Sequence, residues 1–178
     1  AGGGGGAAAP ADATPGWARP WFQALLLRAG AMRLAVPLVK LHSVLSWERD
    51  EQVERALGQP YWMHGAIYHR GRYVRVVDTA ALVLPEERRP PPEERRRGRL
   101  LVLGEGRWAL STRELGDVLK LQPEQVQWRS AQGQRPWLAG TVREHLCALL
   151  DPEALVALLE RDVPPEDGAG LAGTPRAE

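Results

Sequence analysis

Apolar residues along this chain come in short runs cut by glycine, proline or charge, a rhythm that predicts strands rather than long helices. Trp21 to Leu27 (WFQALLL) reads as a first strand, with Ala29-Gly30 as its turn. Met32 to Leu41 (MRLAVPLVKL) follows as a second strand. Pro37 inside it marks a bulge or an edge position, because proline cannot donate to a ladder. His42 to Leu45 carries the chain on toward a bend. Val53 and Leu57 stand at helical spacing in the polar stretch Glu48 to Leu57, which predicts a short helix. Gly65 to Leu82, GAIYHRGRYVRVVDTAAL, has the clearest pattern. It reads as a strand through Tyr68, a turn at His69-Arg70-Gly71 and a second strand, Tyr73 to Val77. Glycine supplies the positive φ that such turns need. Asp78 or Thr79 then caps a helical turn running to Leu82.

Pro85 to Arg99 (PEERRPPPEERRRGR) interrupts the pattern with four prolines and mixed charge, and reads as a solvated loop or linker. Strands resume at Leu100–Leu103, with a hairpin turn at Gly104-Glu105-Gly106, and at Arg107–Thr112. Leu115–Leu121, Trp137–Thr141 and Leu146–Leu150 follow. Asp151-Pro152-Glu153 opens a closing helix with a cap, a proline at the first helical position and an acid in the first turn. Leu155, Leu158 and Leu159 form its apolar face. Many short strands in two similar halves around a charged linker predict one or two small β-barrels with short helices. The expected organisation is a Gly/Ala-rich tail or linker at 1–16 and a domain at 17–162. Its halves are expected at about 20–84 and 99–160, with the linker at 85–99 and a second flexible tail at 163–178.

Composition narrows the function. The chain has 178 residues, 44% of them hydrophobic, with 23 basic and 22 acidic residues and a net charge of +1. That is enough apolar content for a core, and it offers no global electrostatic case for nucleic acid or an anionic membrane. The single cysteine, Cys147, excludes an internal disulfide and suits a reducing compartment. No apolar run approaches the ~20 residues that span a bilayer. The start lacks the basic and apolar regions of a signal peptide. It also lacks an initiator methionine, as expected of a fragment. Seven tryptophans stand against one phenylalanine.

Chemical constellations fail one by one. Gly168 to Gly173 matches GxGxxG, but that motif needs a strand before it and a helix after it, whereas this one sits in the tail before Thr174-Pro175. The opening glycines lack the following Gly-Lys-Ser/Thr of a phosphate loop. His42, His64, His69 and His145 form no zinc spacing. Ser43, His64 and Asp78 could make a triad only on paper, without a nucleophile elbow. Cys147 in LCALL reads as a buried, inert thiol, and Asp78 as a cap rather than an acid–base group. Trp62, Trp108 and Trp137 read as core or rim. Six arginines between Arg88 and Arg99 could meet nucleic acid, but Glu86, Glu87, Glu93 and Glu94 are interleaved and no aromatic is there to stack bases. A small nucleic-acid-binding barrel using that loop remains the alternative to a protein-binding module.

PYWMHGAIYHRGRYVRVVDTAAL, Pro60 to Leu82, resembles the hallmark segment of CheW-like domains, the adaptors of bacterial chemotaxis arrays. Pro60, Gly65, Ile67, Arg70, Gly71, Val74, Val77 and Asp78 stand at matching places. The resemblance extends to LAVPLVKL (Leu34–Leu41), to RLLVLGEGRWALSTRELGDVLKLQPEQV (Arg99–Val126), and to WLAGTV and LLDPEALVALL, covering about residues 20 to 160. Departures are Tyr68-His69 for Asn-Leu, Arg75 for a proline, Ser43 for a glutamate that can pair with the Arg70 position, and a shortened hairpin at Val142–Leu146. VRVVDTA and the Trp-rich lead-in look more like accessory members that place arrays at the cell pole.

The resemblance implies a mainly β fold of two five-stranded, SH3/OB-like barrels sharing a core, with short helices including a C-terminal one. It implies a non-enzymatic, cytoplasmic adaptor without cofactor, metal or small-molecule substrate and without membrane insertion. The partners implied are the regulatory domain of the histidine kinase CheA, chemoreceptor tips and other CheW-like proteins. By matching position, Leu41, Gly65 and Arg70 fall in or near the contact region. Trp62, Tyr68 and Tyr73 join them as candidate anchors, since rigid aromatics lose little entropy on binding; ordinary barrel packing is the competing role for each.

Overall fold

The chain forms eleven strands and three short helices in the computed structural model, which describes residues 14–129 and 135–163. The strands are β1 (Phe22–Ala29), β2 (Met32–Pro37), β3 (Leu41–Trp47), β4 (Met63–His69), β5 (Arg72–Val77) and β6 (Gly98–Leu103), then β7 (Trp108–Thr112), β8 (Leu115–Leu121), β9 (Val126–Trp128), β10 (Leu138–Val142) and β11 (Cys147–Leu150). The helices are α1 (Thr79–Val83), α2 (Pro92–Arg95) and α3 (Pro152–Asp162). The Gly/Ala-rich start up to residue 13 and the GxGxxG run lie outside the described residues.

The strands form two sheets. One has six strands in the order β9-β10-β11-β2-β1-β8, the other five in the order β3-β6-β7-β5-β4. Most pairs are antiparallel. Each sheet holds one parallel pair, Ala148↔Leu34 and Leu149↔Ala35 between β11 and β2, and Val76↔Ala109 between β5 and β7. The mainly β class with two subdomains and a shared core stands, with two corrections. The sheets are open in their pairing rather than closed barrels, and they hold six and five strands. The halves also interleave instead of following one another. Residues 22–37 and 115–150 build the first sheet, and 41–47, 63–77 and 98–112 the second. The chain changes sheet at the 3₁₀ turn Leu38–Lys40 and again at Arg113-Glu114, while the charged segment 85–99 joins two strands of one sheet.

Pro37 is thus a strand end rather than a bulge, and Leu41 begins a new strand. Between β3 and β4 the expected helix is only a 3₁₀ turn, Asp50–Gln52. The Gln52 Oε1 accepts from the Glu48 and Arg49 amides at 2.8 and 2.7 Å. That local bonding closes the turn and frees Val53 to enter the core, 3% exposed.

Three apolar clusters hold the layers. The largest lies between the sheets, joining Leu25, Leu27, Leu34 and Val36 to Leu101, Leu103, Trp108 and Leu110, and taking in α1 and α3. Each sheet also covers a smaller core on its other face. One contains Phe22, Leu121, Trp128 and Leu149, the other Trp47, Ile67, Val76 and Leu100. Burial on both faces explains why β1 and β6 read as nearly continuous apolar runs instead of alternating ones. Cys147 sits in the first of these smaller cores, and burial pushes its thiol up from the ordinary value against the opposing pull of Arg33.

Candidate docking surface

The β4–β5 hairpin ends in a two-residue turn. Arg70 (φ 53°) and Gly71 (φ 85°) both take the left-handed region, the pattern whose twist matches two paired strands. The turn holds Arg70 in solvent, and among the described residues it has no ion-pair partner. Ser43 places its hydroxyl 3.2 Å from His42 Nδ1. Behind the turn Tyr68 pairs with Tyr73, ring edge to ring face at 5.1 Å, and Tyr68 remains 63% exposed on an edge strand.

Leu41 lies at the same end of this sheet. Leu41 pairs with Leu103, Leu103 with Trp108, Trp108 with Arg75, and Arg72 with His69. The β6–β7 turn lies between, and a side chain added at Gly106 would sit 3.6 Å from both Arg72 and His42. The hairpin tip, the β6–β7 turn and the start of β3 therefore form one continuous end surface. Beyond Leu41 it opens into a groove of about 460 Å³ between Val39 and Leu41 on one side and Val156 of α3 on the other. Val39 is 63% exposed.

Charged pairs frame that groove. Lys40 Nζ donates to Glu153 at 3.1 Å. Glu160 accepts from Arg107 Nε at 2.8 Å and from Trp108 Nε1 at 2.9 Å. Burial alone would raise the Glu160 carboxyl, but the hydrogen bonds from Arg107 and Trp108 prevail and hold it below the usual carboxylate value. Arg75 completes the clamp. It is 6% exposed, lies over the Trp108 ring at 5.4 Å and donates to the Val163 carbonyl at 3.2 Å. The departure at this position thus ties β5 to the end of α3.

The six candidate residues separate into three groups. Tyr68, Arg70 and Tyr73 share the hairpin tip, and Leu41 lines the groove. Trp62 and Gly65 are interior. Trp62 is 6% exposed and packs on Trp108 at 5.9 Å, so it is a core residue rather than a surface anchor. Gly65 (φ 143°) sits at a register shift where an added Cβ would lie 2.1 Å from the Glu54 carbonyl oxygen. Its place is fixed by backbone crossing: Glu54 and Ala66 exchange amide–carbonyl bonds at 2.8 Å. Sequence reasoning missed Val39 and Val156. The signal for Val39 was the break in alternation after Pro37.

Segment 85–99 is largely exposed, as expected of a solvated loop, and two of its arginines depart from that expectation. Arg95 and Arg96 fold back, with side chains 17% and 14% exposed. Arg95 Nε donates to Asp78 Oδ2 at 3.1 Å, and Arg96 Nε to Asp50 at 2.5 Å. Asp78 meanwhile caps α1 through the Ala81 amide at 3.2 Å. His64 lies beneath them, against Trp47 at 4.9 Å. Burial pushes His64 down to about 4, with Arg96 and Arg95 adding to the effect and Asp78 opposing it. The triad that Ser43, His64 and Asp78 could form on paper is not assembled among the described residues. Ser43 lies near His42 and His64 near Asp78, on opposite edge strands of the sheet. Among the described residues no three of His, Cys, Asp and Glu gather to hold a metal, and no helix is long and apolar enough to cross a membrane.

Paired β-sheets thus present the exposed hairpin tip and the charge-framed groove at one end of the five-stranded sheet. The CheW-like domain model matches residues 23–160, and the chain belongs to that family. A solved structure with the same fold is the scaffolding protein TtCheW from Thermoanaerobacter tengcongensis, at TM-score 0.56 and 10% identity, covering 72% of this chain and 86% of that one. Among curated proteins no relative matches.

Proposed function

We propose that the protein is a non-enzymatic adaptor of bacterial chemotaxis signalling, acting in the cytoplasm at receptor arrays, and that it makes its contacts through the end of the five-stranded sheet. Membership in the CheW-like family supports the coupling role. The observation that carries the surface is the continuity of Tyr68, Arg70, Val39 and Leu41 at one end of that sheet. The partners proposed are the CheA regulatory domain, chemoreceptor tips and other CheW-like proteins, with a polar, array-positioning role for this variant. Rigid tyrosines and an unpaired arginine suit hot-spot contacts, and the groove suits one inserted apolar side chain.

Purified protein is titrated with the CheA regulatory domain and with a receptor-tip fragment. Val39→Asp and Arg70→Glu change exposed residues, so both variants should keep the wild-type thermal transition. Each is expected to weaken binding to at least one partner roughly tenfold or more, as loss of a hot-spot contact does. Wild-type protein that co-elutes with neither partner overturns the reading. The nucleic-acid alternative needs free arginines in 85–99. Arg95 and Arg96 are engaged with Asp78 and Asp50, and Arg89 with the Leu84 carbonyl, which disfavours it.

A further inference from the structure

A second pocket, of about 300 Å³, opens on the opposite edge of the same sheet, between the folded-back arginines and the Pro60-Tyr61 turn. Arg55, Tyr61, His64, Arg95 and Arg96 line it, with Asp78 as its carboxylate. Arg96 Nη1 lies 3.4 Å from His64 Nδ1, and a guanidinium can only donate. The Nδ1 atom therefore accepts, and the ring proton sits on Nε2. That Nε2–H belongs to a side chain only 5% exposed, and it has no hydrogen-bond partner. The Asp78 carboxylate is 3.8 Å away and already receives the Ala81 amide and Arg95. The Arg95 carbonyl faces the ring too, yet neither group meets Nε2 with hydrogen-bond geometry.

A buried donor left unmatched costs stability, and here it borders three guanidiniums, of which Arg95 is paired with Asp78 and Arg96 with Asp50 while Arg55 has no carboxylate. The pocket supplies more donors than acceptors, and its one carboxylate, Asp78, is already engaged by the Ala81 amide and Arg95. We infer that it is a binding site for a small tetrahedral oxyanion of the phosphate class, held by His64 Nε2–H and the Arg55 and Arg96 guanidiniums. Planar guanidiniums match phosphate oxygens, and a neutral imidazole N–H adds a fixed directional donor. Arg55 has no ion-pair partner among the described residues and is free to close over the ligand. The ligand would also tie the arginine segment to β4, because its contacts come from both.

The test titrates the full chain with inorganic phosphate at constant ionic strength in chloride, by calorimetry and by following the His64 ring resonances. Saturable binding with a matching shift of the His64 signals is expected. Arg55→Gln changes an exposed residue and should leave the thermal transition in place while weakening binding roughly tenfold, the loss of one charge-assisted contact. Adenosine monophosphate forms a parallel arm. Tighter binding than phosphate assigns the site to phosphate esters, and equal or weaker binding to the free ion. His64 signals that stay unmoved by phosphate, or that move equally with added chloride, overturn the inference. Binding that Arg55→Gln leaves unchanged overturns it as well.

Discussion

Lowering the pH from 7.5 to 5 should weaken the fold through one residue, His64. Its ring is 5% exposed, packs against Trp47, and has Arg95 and Arg96 beside it. Burial, aided by those charges, brings its pKa from 6.5 to about 4. As the pH falls the unfolded chain takes up the proton first. The contribution of this residue is therefore complete above 6.5 and is lost progressively toward 4. Full loss corresponds to about 3 kcal/mol, of which about 2 kcal/mol has gone by pH 5. Urea unfolding measures it in phosphate-free buffer, and with a slope of about 2 kcal/mol per molar the midpoint should drop by about 1 M. His64→Gln keeps a neutral polar group there and should show a markedly smaller drop over the same range. His42, His69 and His145 are present in both proteins and cancel in the difference. An equal drop in wild type and His64→Gln refutes the reasoning, as does a folded-state His64 that titrates near 6.5.

Two further substitutions test the framework. Gly65→Ala pushes a Cβ against the Glu54 carbonyl at a φ of 143° and should cost about 3 kcal/mol or more, seen as a large fall in Tm; a loss under about 1 kcal/mol would mean that Glu54 gives way easily. Glu160→Gln removes the charge that Arg107 and Trp108 hold and should cost about 1–2 kcal/mol at pH 7. Because the Glu160 carboxyl is held below its usual value, its contribution is present above about 4.3 and fades as the pH falls through the folded pKa. The Gln variant should lack that part of the acid slope, which lies below about pH 5.

Local chemistry was legible in the sequence wherever the answer was local. The Arg70-Gly71 turn, the Asp78 cap and the Asp151 cap, whose Oδ1 accepts the Ala154 amide at 3.1 Å, follow from residue types at fixed spacing. The interleaved sheets do not, because each half has its own complete strand pattern and nothing in either says that β11 will lie against β2. Nor could composition separate Trp62 from Tyr68: the first meets Trp108 in the core, the second faces water. The arginine segment misled for a related reason. A mixed-charge run looks solvated until a buried Asp78, seventeen residues from Arg95, gives it something to bind. Arg75 hides in the same way, since its partner is the Val163 carbonyl.

The parallel pairing of β11 with β2 sets an order on synthesis. The five-stranded sheet is complete once Thr112 has left the ribosome. The six-stranded sheet cannot close its centre until Ala148 and Leu149 arrive to sit beside Leu34 and Ala35. Through all of that interval one side of β2 stays open, a bare ladder edge of the kind that recruits foreign strands. A nascent chain paused before β11 is therefore where aggregation should concentrate, and a chaperone that shields an unpaired edge would help this protein most between the emergence of Thr112 and that of Leu149.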